Sequence, residues 1–165
     1  MQLCAIDPGT DESAVVVINI PSFAVTHRSI DNNNNILEQI RERDIEAEHL
    51  LIEKVACYGM AVGAEVFQTC FWIGRFMEAW HPKTVELMGR TQVKTILCHT
   101  TRAKDKNVTQ AVKDFMASHF GIRESELKGR KASPGPLYGI KSHEWQALAL
   151  AVAWSIHKHP NLGVG

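Results

Sequence analysis

The chain has 165 residues with 18 basic and 18 acidic side chains, so its formal net charge is zero and total charge alone does not mark a polyanion binder. That length suits one domain, residues 1–165, able to bury roughly two thirds of its unfolded surface without disulfides or structural zinc. No run of 18 apolar residues and no leader pattern is found, so no membrane association and no signal peptide are expected, and a cytoplasmic protein is.

The chain opens on an apolar run, Cys4-Ala5-Ile6, that ends in an acid and turns sharply at Pro8-Gly9. Residues 2–7 and 14–20 read as strands, and residues 23–27, after Pro21-Ser22, as a third, which gives an antiparallel meander. Asp31 and the four asparagines 32–35 form a polar turn and helix N-cap, after which Ile36, Leu37, Ile40 and Ile45 recur at helical spacing to about residue 49. Residues 50–55, a short apolar run broken by Glu53 and Lys54, fit a strand added in parallel.

After Tyr58-Gly59-Met60, residues 62–80 carry Val66, Phe67, Cys70, Phe71, Ile73, Gly74 and Met77, a broad apolar stripe at helical spacing. Its aromatics exceed what one face needs, so packing on a partner helix is a second use beside core packing. Residues 83–89 read as a short helix and 93–98 as a further strand. Residues 107–120 form an amphipathic helix stopped by Gly121. Periodicity is then lost, and residues 123–140 read as a mobile basic loop. Ser142 is the expected cap of the last helix, in which Trp145, Leu148, Ala149, Val152 and Ile156 repeat at helical spacing.

Cys4, Cys57, Cys70 and Cys98 form no close pair of the kind that builds zinc sites, and are expected as reduced thiols, mostly in the core. Charge is unevenly spread: residues 31–53 hold seven acids and two bases, whereas residues 102–141 hold nine bases and four acids. The second half therefore carries a candidate phosphate-binding patch, or equally a solvated helix face.

Two acids stand out. Asp7 and Glu53 each close an apolar run, and two such acids on neighbouring strands repel unless one is protonated or a cation lies between them. The last helix begins His143-Glu144-Trp145-Gln146 and presents polar side chains beside those strand ends. His143 and Gln146 are three apart and share a face, while Glu144 is turned by about 100° from His143. On the residues alone, Glu144 complements the helix dipole and His143 caps the helix, or they complete a ligand set.

Cys4-Ala5-Ile6-Asp7-Pro8-Gly9-Thr10, Ile52-Glu53-Lys54-Val55, the helix 66–76 and His143 to Ala151 resemble the RuvC-type Holliday junction resolvases of the ribonuclease H-like superfamily over nearly the whole chain. Gly59-Met60-Ala61-Val62-Gly63 and residues 102–107 look closer still to the RuvC-like proteins of bacteriophages and prophages. The resemblance implies an α/β fold with a mixed five-stranded sheet, three antiparallel strands and then parallel ones, flanked by helices. It implies a crossover junction endodeoxyribonuclease that uses Mg2+, with Mn2+ as a substitute, in a bacterial or phage-infected cell. Asp7 would bridge two ions and Glu53 would hold one. His143, Glu144 or Gln146 would complete the site.

The chain departs from the family at the last helix, where typical members carry two acids three apart, or a histidine and an acid, and this one carries His143 and Gln146. One negative charge fewer weakens magnesium binding unless Glu144 turns inward. A non-catalytic or weakly catalytic branched-DNA binder is therefore an alternative, as is a nuclease acting on RNA hybrids or other branched structures. The expected partners are branched DNA, through Lys54, Arg102, Lys104, Lys106, Lys128, Arg130 and Lys131, and a second copy of the chain. The helix 62–80 is the candidate dimer face, and its Phe67, Phe71, Trp72, Phe76 and Trp80 could also stack on unpaired bases.

Overall fold

A computed structural model describes residues 1–57, 59, 61–80 and 84–162; Tyr58, Met60 and Lys83, which enter the sequence reading above, lie outside the described residues. The N-terminal apolar runs form β1 (Gln2–Asp7) and β2 (Glu12–Asn19), paired antiparallel, and β3 (Val25–Asn32) extends the meander. The third strand starts later and runs further than the sequence suggests, because Phe23 adopts φ 54° and turns its fully buried ring into the core against Phe115. Helix α1 (Asn33–Glu42) follows, with the Asn32 side chain accepting from the Asn34 N–H at 2.9 Å. It ends well short of the expected residue 49, since Arg43 takes a left-handed conformation at φ 65°. Ile45 and Ala47 are buried in the connection to β4 (His49–Lys54), so their apolar character serves a loop.

Helix α2 (Ala64–Ala79) is as expected, but the next two elements are exchanged. β5 (Thr84–Gly89) stands where a short helix was read, and α3 (Arg90–Cys98) where a strand was read. β5 is an edge strand held by its partners: Glu86 accepts from Trp154 Nε1 at 3.2 Å and pairs with Lys158 at 3.0 Å. α3 is started by Gln92, whose Oε1 accepts the Gly89 N–H at 2.9 Å. Helix α4 (Asp105–Phe120) ends at Gly121, φ 64°.

The segment read as a mobile loop is ordered: α5 (Glu124–Lys128) leads into a hairpin of β6 (Gly129–Arg130) and β7 (Ser133–Pro134), anchored by buried Leu127, Leu137 and Ile140. Helix α6 (Glu144–Lys158) completes the core, and Pro160–Leu162 add a 3-10 turn. Ser142 does not cap α6; it takes φ 45°, and His143 is the cap residue.

The sheet order is β3-β2-β1-β4-β5, with β1–β4 and β4–β5 parallel, so the expected mixed five-stranded sheet is present. Alternation along each strand divides two cores. Leu3, Ala5, Val16 and Leu51 face α6, behind which lie α3 and α4, whereas Cys4, Ile6, Val15, Leu50 and Ile52 face α1 and α2. Every residue of α6 from Ala147 to Ser155 is buried, as a helix enclosed between a sheet and other helices requires. Of the four thiols only Cys4 is buried; Cys57 and Cys70 are exposed and Cys98 is partly so, against the expectation of core packing.

Candidate functional site

The parallel register of β1 and β4 ends at Ile6↔Ile52. One step further places Asp7 and Glu53 side by side at the C-terminal ends of the two central strands, on the α6 face. The chain leaves β1 through Pro8-Gly9, where a side chain on residue 9 would collide with the Glu12 carbonyl, so glycine alone fits the turn. A buried network fixes that turn. The Gly9 N–H donates to Ser13 Oγ at 3.1 Å, Ser13 Oγ donates to Asn33 Oδ1 at 2.6 Å, and Asn33 Nδ2 donates to the Gly9 carbonyl at 3.0 Å. Asn33 and Ser13 thus hold the loop beside Asp7. A cleft of about 560 Å³ opens there, lined by Asp7, Gly9, Thr10, Glu12, Asn32 and His143.

Asp7 and Glu53 are largely sequestered, their side chains 16% and 17% exposed. Burial pushes both carboxyls above their usual values, Asp7 further raises Glu53, and Asp105 raises both; His143 and Arg90 oppose the rise at Asp7, and Arg90 opposes it at Glu53. His143 closes the site from the start of α6, with Nδ1 3.2 Å from Asp7 Oδ2 and the ring mostly open to solvent. Gln146 lies one turn along the same helix, and its Oε1 is buried with no hydrogen-bond partner among the described residues.

Glu144 is not brought to the pair. It is 1% exposed, accepts the Lys141 N–H at 2.8 Å, and faces Arg28 at 3.5 Å, whose guanidinium packs on Gly139 at φ 81°. The carboxylate braces the approach to α6 from beneath β3, so it does not take up the charge that Gln146 lacks.

Two residues to which the sequence assigns no site role complete the site. Arg90 donates from Nη1 to Glu53 Oε2 at 3.0 Å and from Nη2 to Asp105 Oδ1 at 2.6 Å. Burial disfavours the Arg90 charge, but the two carboxylates outweigh it and hold its pKa above the usual value. Sequence offered one signal for them, since Asp105 falls within the motif 102–107; Arg90 carried none.

Among the described residues no three His, Cys, Asp or Glu side chains gather as a cation cage. The donor set is instead two adjacent buried carboxylates with an imidazole on one of them; the unpartnered Gln146 oxygen lies one turn further along α6. That composition fits Mg2+, which is commonly held by one or two carboxylates and leaves the rest of its shell to water and substrate phosphates.

The expected nucleic-acid contacts Lys54, Arg102, Lys104, Lys106, Lys128, Arg130 and Lys131 are all exposed. Lys54 directly follows Glu53, Arg102 to Lys106 lie at the start of α4 beside Asp105, and the last three lie on α5 and the hairpin. On α2 the aromatics divide. Trp72, Phe76 and Trp80 are buried and unavailable to bases, whereas Phe67 and Phe71 are 67% and 56% exposed.

No family model and no curated protein matches this sequence. Solved structures match its shape. A Thermus thermophilus RuvC structure superposes with a TM-score of 0.66 at 18% identity, covering 97% of both chains. T. thermophilus RuvC in complex with a Holliday junction substrate gives a TM-score of 0.70 at 18% identity, covering 98% of this chain and 97% of the other. The fold is therefore RuvC-like, of the ribonuclease H kind. Among the described residues no helix is long and apolar enough to cross a membrane.

Proposed function

We propose that residues 1–165 act as one Mg2+-dependent endonuclease domain that cleaves phosphodiester bonds in four-way or otherwise branched DNA. The observation that carries this reading is the buried Asp7–Glu53 pair at the open ends of β1 and β4, on a RuvC-like fold. Paired carboxylates that burial and mutual repulsion make costly are an attractive site for a divalent cation. Asp7 and Glu53 hold the ions, with Mn2+ able to replace Mg2+. His143 fixes the Asp7 carboxylate through Nδ1 and leaves its second ring nitrogen to a cation or a proton. Gln146 contributes its carbonyl oxygen. When bound, a pair of such ions activates the attacking water and stabilises the leaving oxygen of an in-line displacement.

Lys54, Arg102, Lys104, Lys106, Lys128, Arg130 and Lys131 contact DNA phosphates around the cleft. Two copies of the chain pair through the exposed stripe of α2, Phe67, Cys70, Phe71 and Gly74, which sets two sites symmetrically about a branch point. The motif residues 59–63 and 102–107 support placement beside phage-type RuvC proteins, acting in the cytoplasm of a bacterial or phage-infected cell.

A second reading, favoured by the neutral Gln146, is a branched-DNA binder with weak or no catalysis. The two separate on a panel of synthetic four-way junction, fork, flap, linear duplex and RNA–DNA hybrid, each with Mg2+ or Mn2+. Preferential nicking of the junction supports the resolvase; tight junction binding with no nicking supports the binder, and preference for the hybrid overturns both.

A further inference from the structure

Arg90 is the first residue of α3, directly after β5, and the parallel register Glu53↔Met88 and Lys54↔Gly89 carries it to the end of the strand that bears Glu53. Its planar fork does not grip one carboxylate with both nitrogens. Instead Nη1 takes Glu53 Oε2 at 3.0 Å and Nη2 takes Asp105 Oδ1 at 2.6 Å. Glu53, Arg90 and Asp105 therefore form a row running outward from the buried pair, with side chains 17%, 19% and 64% exposed. The inner contact occupies one of the two Glu53 carboxylate oxygens, which a cation held by both would displace. The outer contact is the shorter and more exposed, so an outward swing of the guanidinium that breaks the inner contact can keep the outer one. A fixed cation beside Glu53 and a divalent ion on Glu53 repel each other, so each arrangement weakens the other.

We propose that Arg90 is a resident counter-charge for Glu53 that yields to an incoming divalent cation, and that Asp105 is the positioning residue that receives the displaced guanidinium. This rests on the metal-site reading of Asp7 and Glu53. The arrangement keeps the buried acid neutralised when no metal is bound, and it makes metal affinity depend on a residue that is not a ligand.

The test is direct Mn2+ binding to the full chain without DNA, read as free Mn2+ by electron paramagnetic resonance, for the wild type, Asp7→Asn, Arg90→Gln, Asp105→Asn and the double variant Arg90→Gln/Asp105→Asn. Arg90→Gln is expected to bind Mn2+ about tenfold more tightly, and Asp105→Asn about threefold more weakly because the guanidinium then stays on Glu53. The double variant is expected to stay within about twofold of Arg90→Gln, since most of the Asp105 effect runs through Arg90 and only its direct charge on Asp7 and Glu53 remains. Unchanged or weaker binding in Arg90→Gln, or a loss from Asp105→Asn that is equal with and without Arg90, overturns the proposal while Mn2+ binding that depends on Asp7 leaves the metal site standing. Absence of Asp7-dependent binding in every variant overturns both. If Arg90→Gln does not fold, Arg90→Met takes its place in both the single and the double variant: tighter Mn2+ binding than wild type, with most of the Asp105→Asn loss gone, supports the proposal, and unchanged or weaker binding overturns it.

Discussion

Replacing Asp7 with asparagine should make the metal-free protein more stable at neutral pH, although it removes the central group of the proposed site. The Asp7 carboxylate is 16% exposed, and the groups that oppose its burial are a mostly solvated imidazole at 3.2 Å and an arginine already engaged by Glu53 and Asp105. Burial outweighs both, so its pKa is raised, and Asp105 adds like charge nearby. An acid whose folded pKa lies above its unfolded one holds its proton more tightly in the fold. Its ionisation therefore opposes folding, and stability falls as pH rises from the ordinary carboxylate range through the raised value. Asparagine keeps the shape and removes the charge. The expected gain at pH 7 is on the order of 1–3 kcal/mol, the range for relieving an uncompensated buried polar group. For a chain of this size each kcal/mol moves the melting temperature by about 2–4 °C. Thermal unfolding in EDTA, followed by circular dichroism at several pH values, measures it. The gain should shrink as pH falls and wild-type Asp7 becomes protonated. Mg2+ at about a hundredfold above its dissociation constant should then stabilise the wild type by about 2.7 kcal/mol and leave Asp7→Asn unmoved. A destabilised Asp7→Asn, or a gain that does not change with pH, would refute the reasoning.

Three further outcomes are expected. Asn33→Ala removes the acceptor of Ser13 Oγ and the donor to the Gly9 carbonyl, and should cost about 1–3 kcal/mol in denaturant unfolding, with a loss of cleavage from the loosened Asp7 turn. Phe67→Asp with Phe71→Asp, which places charge on two exposed rings without touching the buried Trp72 and Phe76, should shift a dimer to monomer in sedimentation while leaving the melting temperature of the fold intact; a dimer that persists removes α2 as the interface. Gln146→Asp should raise Mg2+-dependent junction cleavage, read by single-turnover kinetics, because it supplies charge where Glu144 is held away by Lys141 and Arg28.

Most of the sheet was legible because β1, β2 and β4 are apolar runs with clear turn signals, and because α2, α4 and α6 carry strong helical periodicity. Asp7 and Glu53 could be read for the same reason: an acid that ends an apolar run has few inexpensive places to go. The exchange of β5 and α3 shows where pattern fails. Thr84 to Gly89 carries Glu86, which looks like a helix-surface acid until Trp154 and Lys158 are brought to it from about seventy residues away. Val93 to Cys98 is a short apolar run that periodicity cannot assign between strand and helix. That misreading also concealed Arg90, since only a strand over residues 84–89, parallel to β4, brings it to Glu53. Asn33 was read as part of a polar turn. Its role depends on Ser13, twenty residues earlier, reached through pairing of β2 with β3. Of the two readings Glu144 had in the sequence, the ligand is not met and the first-turn acid is: it begins α6, accepts the Lys141 N–H and meets Arg28 of β3.

The most direct measurement is cleavage of a synthetic four-way junction in Mg2+ by the wild type, Asp7→Asn and Glu53→Gln, with junction affinity measured in parallel. Metal-dependent nicking by the wild type, lost in both variants while affinity stays within about threefold, a difference of roughly 0.7 kcal/mol, is the expected result. Cleavage that survives in either variant, or a wild type that binds the junction and never nicks it, would contradict the assignment of Asp7 and Glu53 as the metal-holding pair of a nuclease.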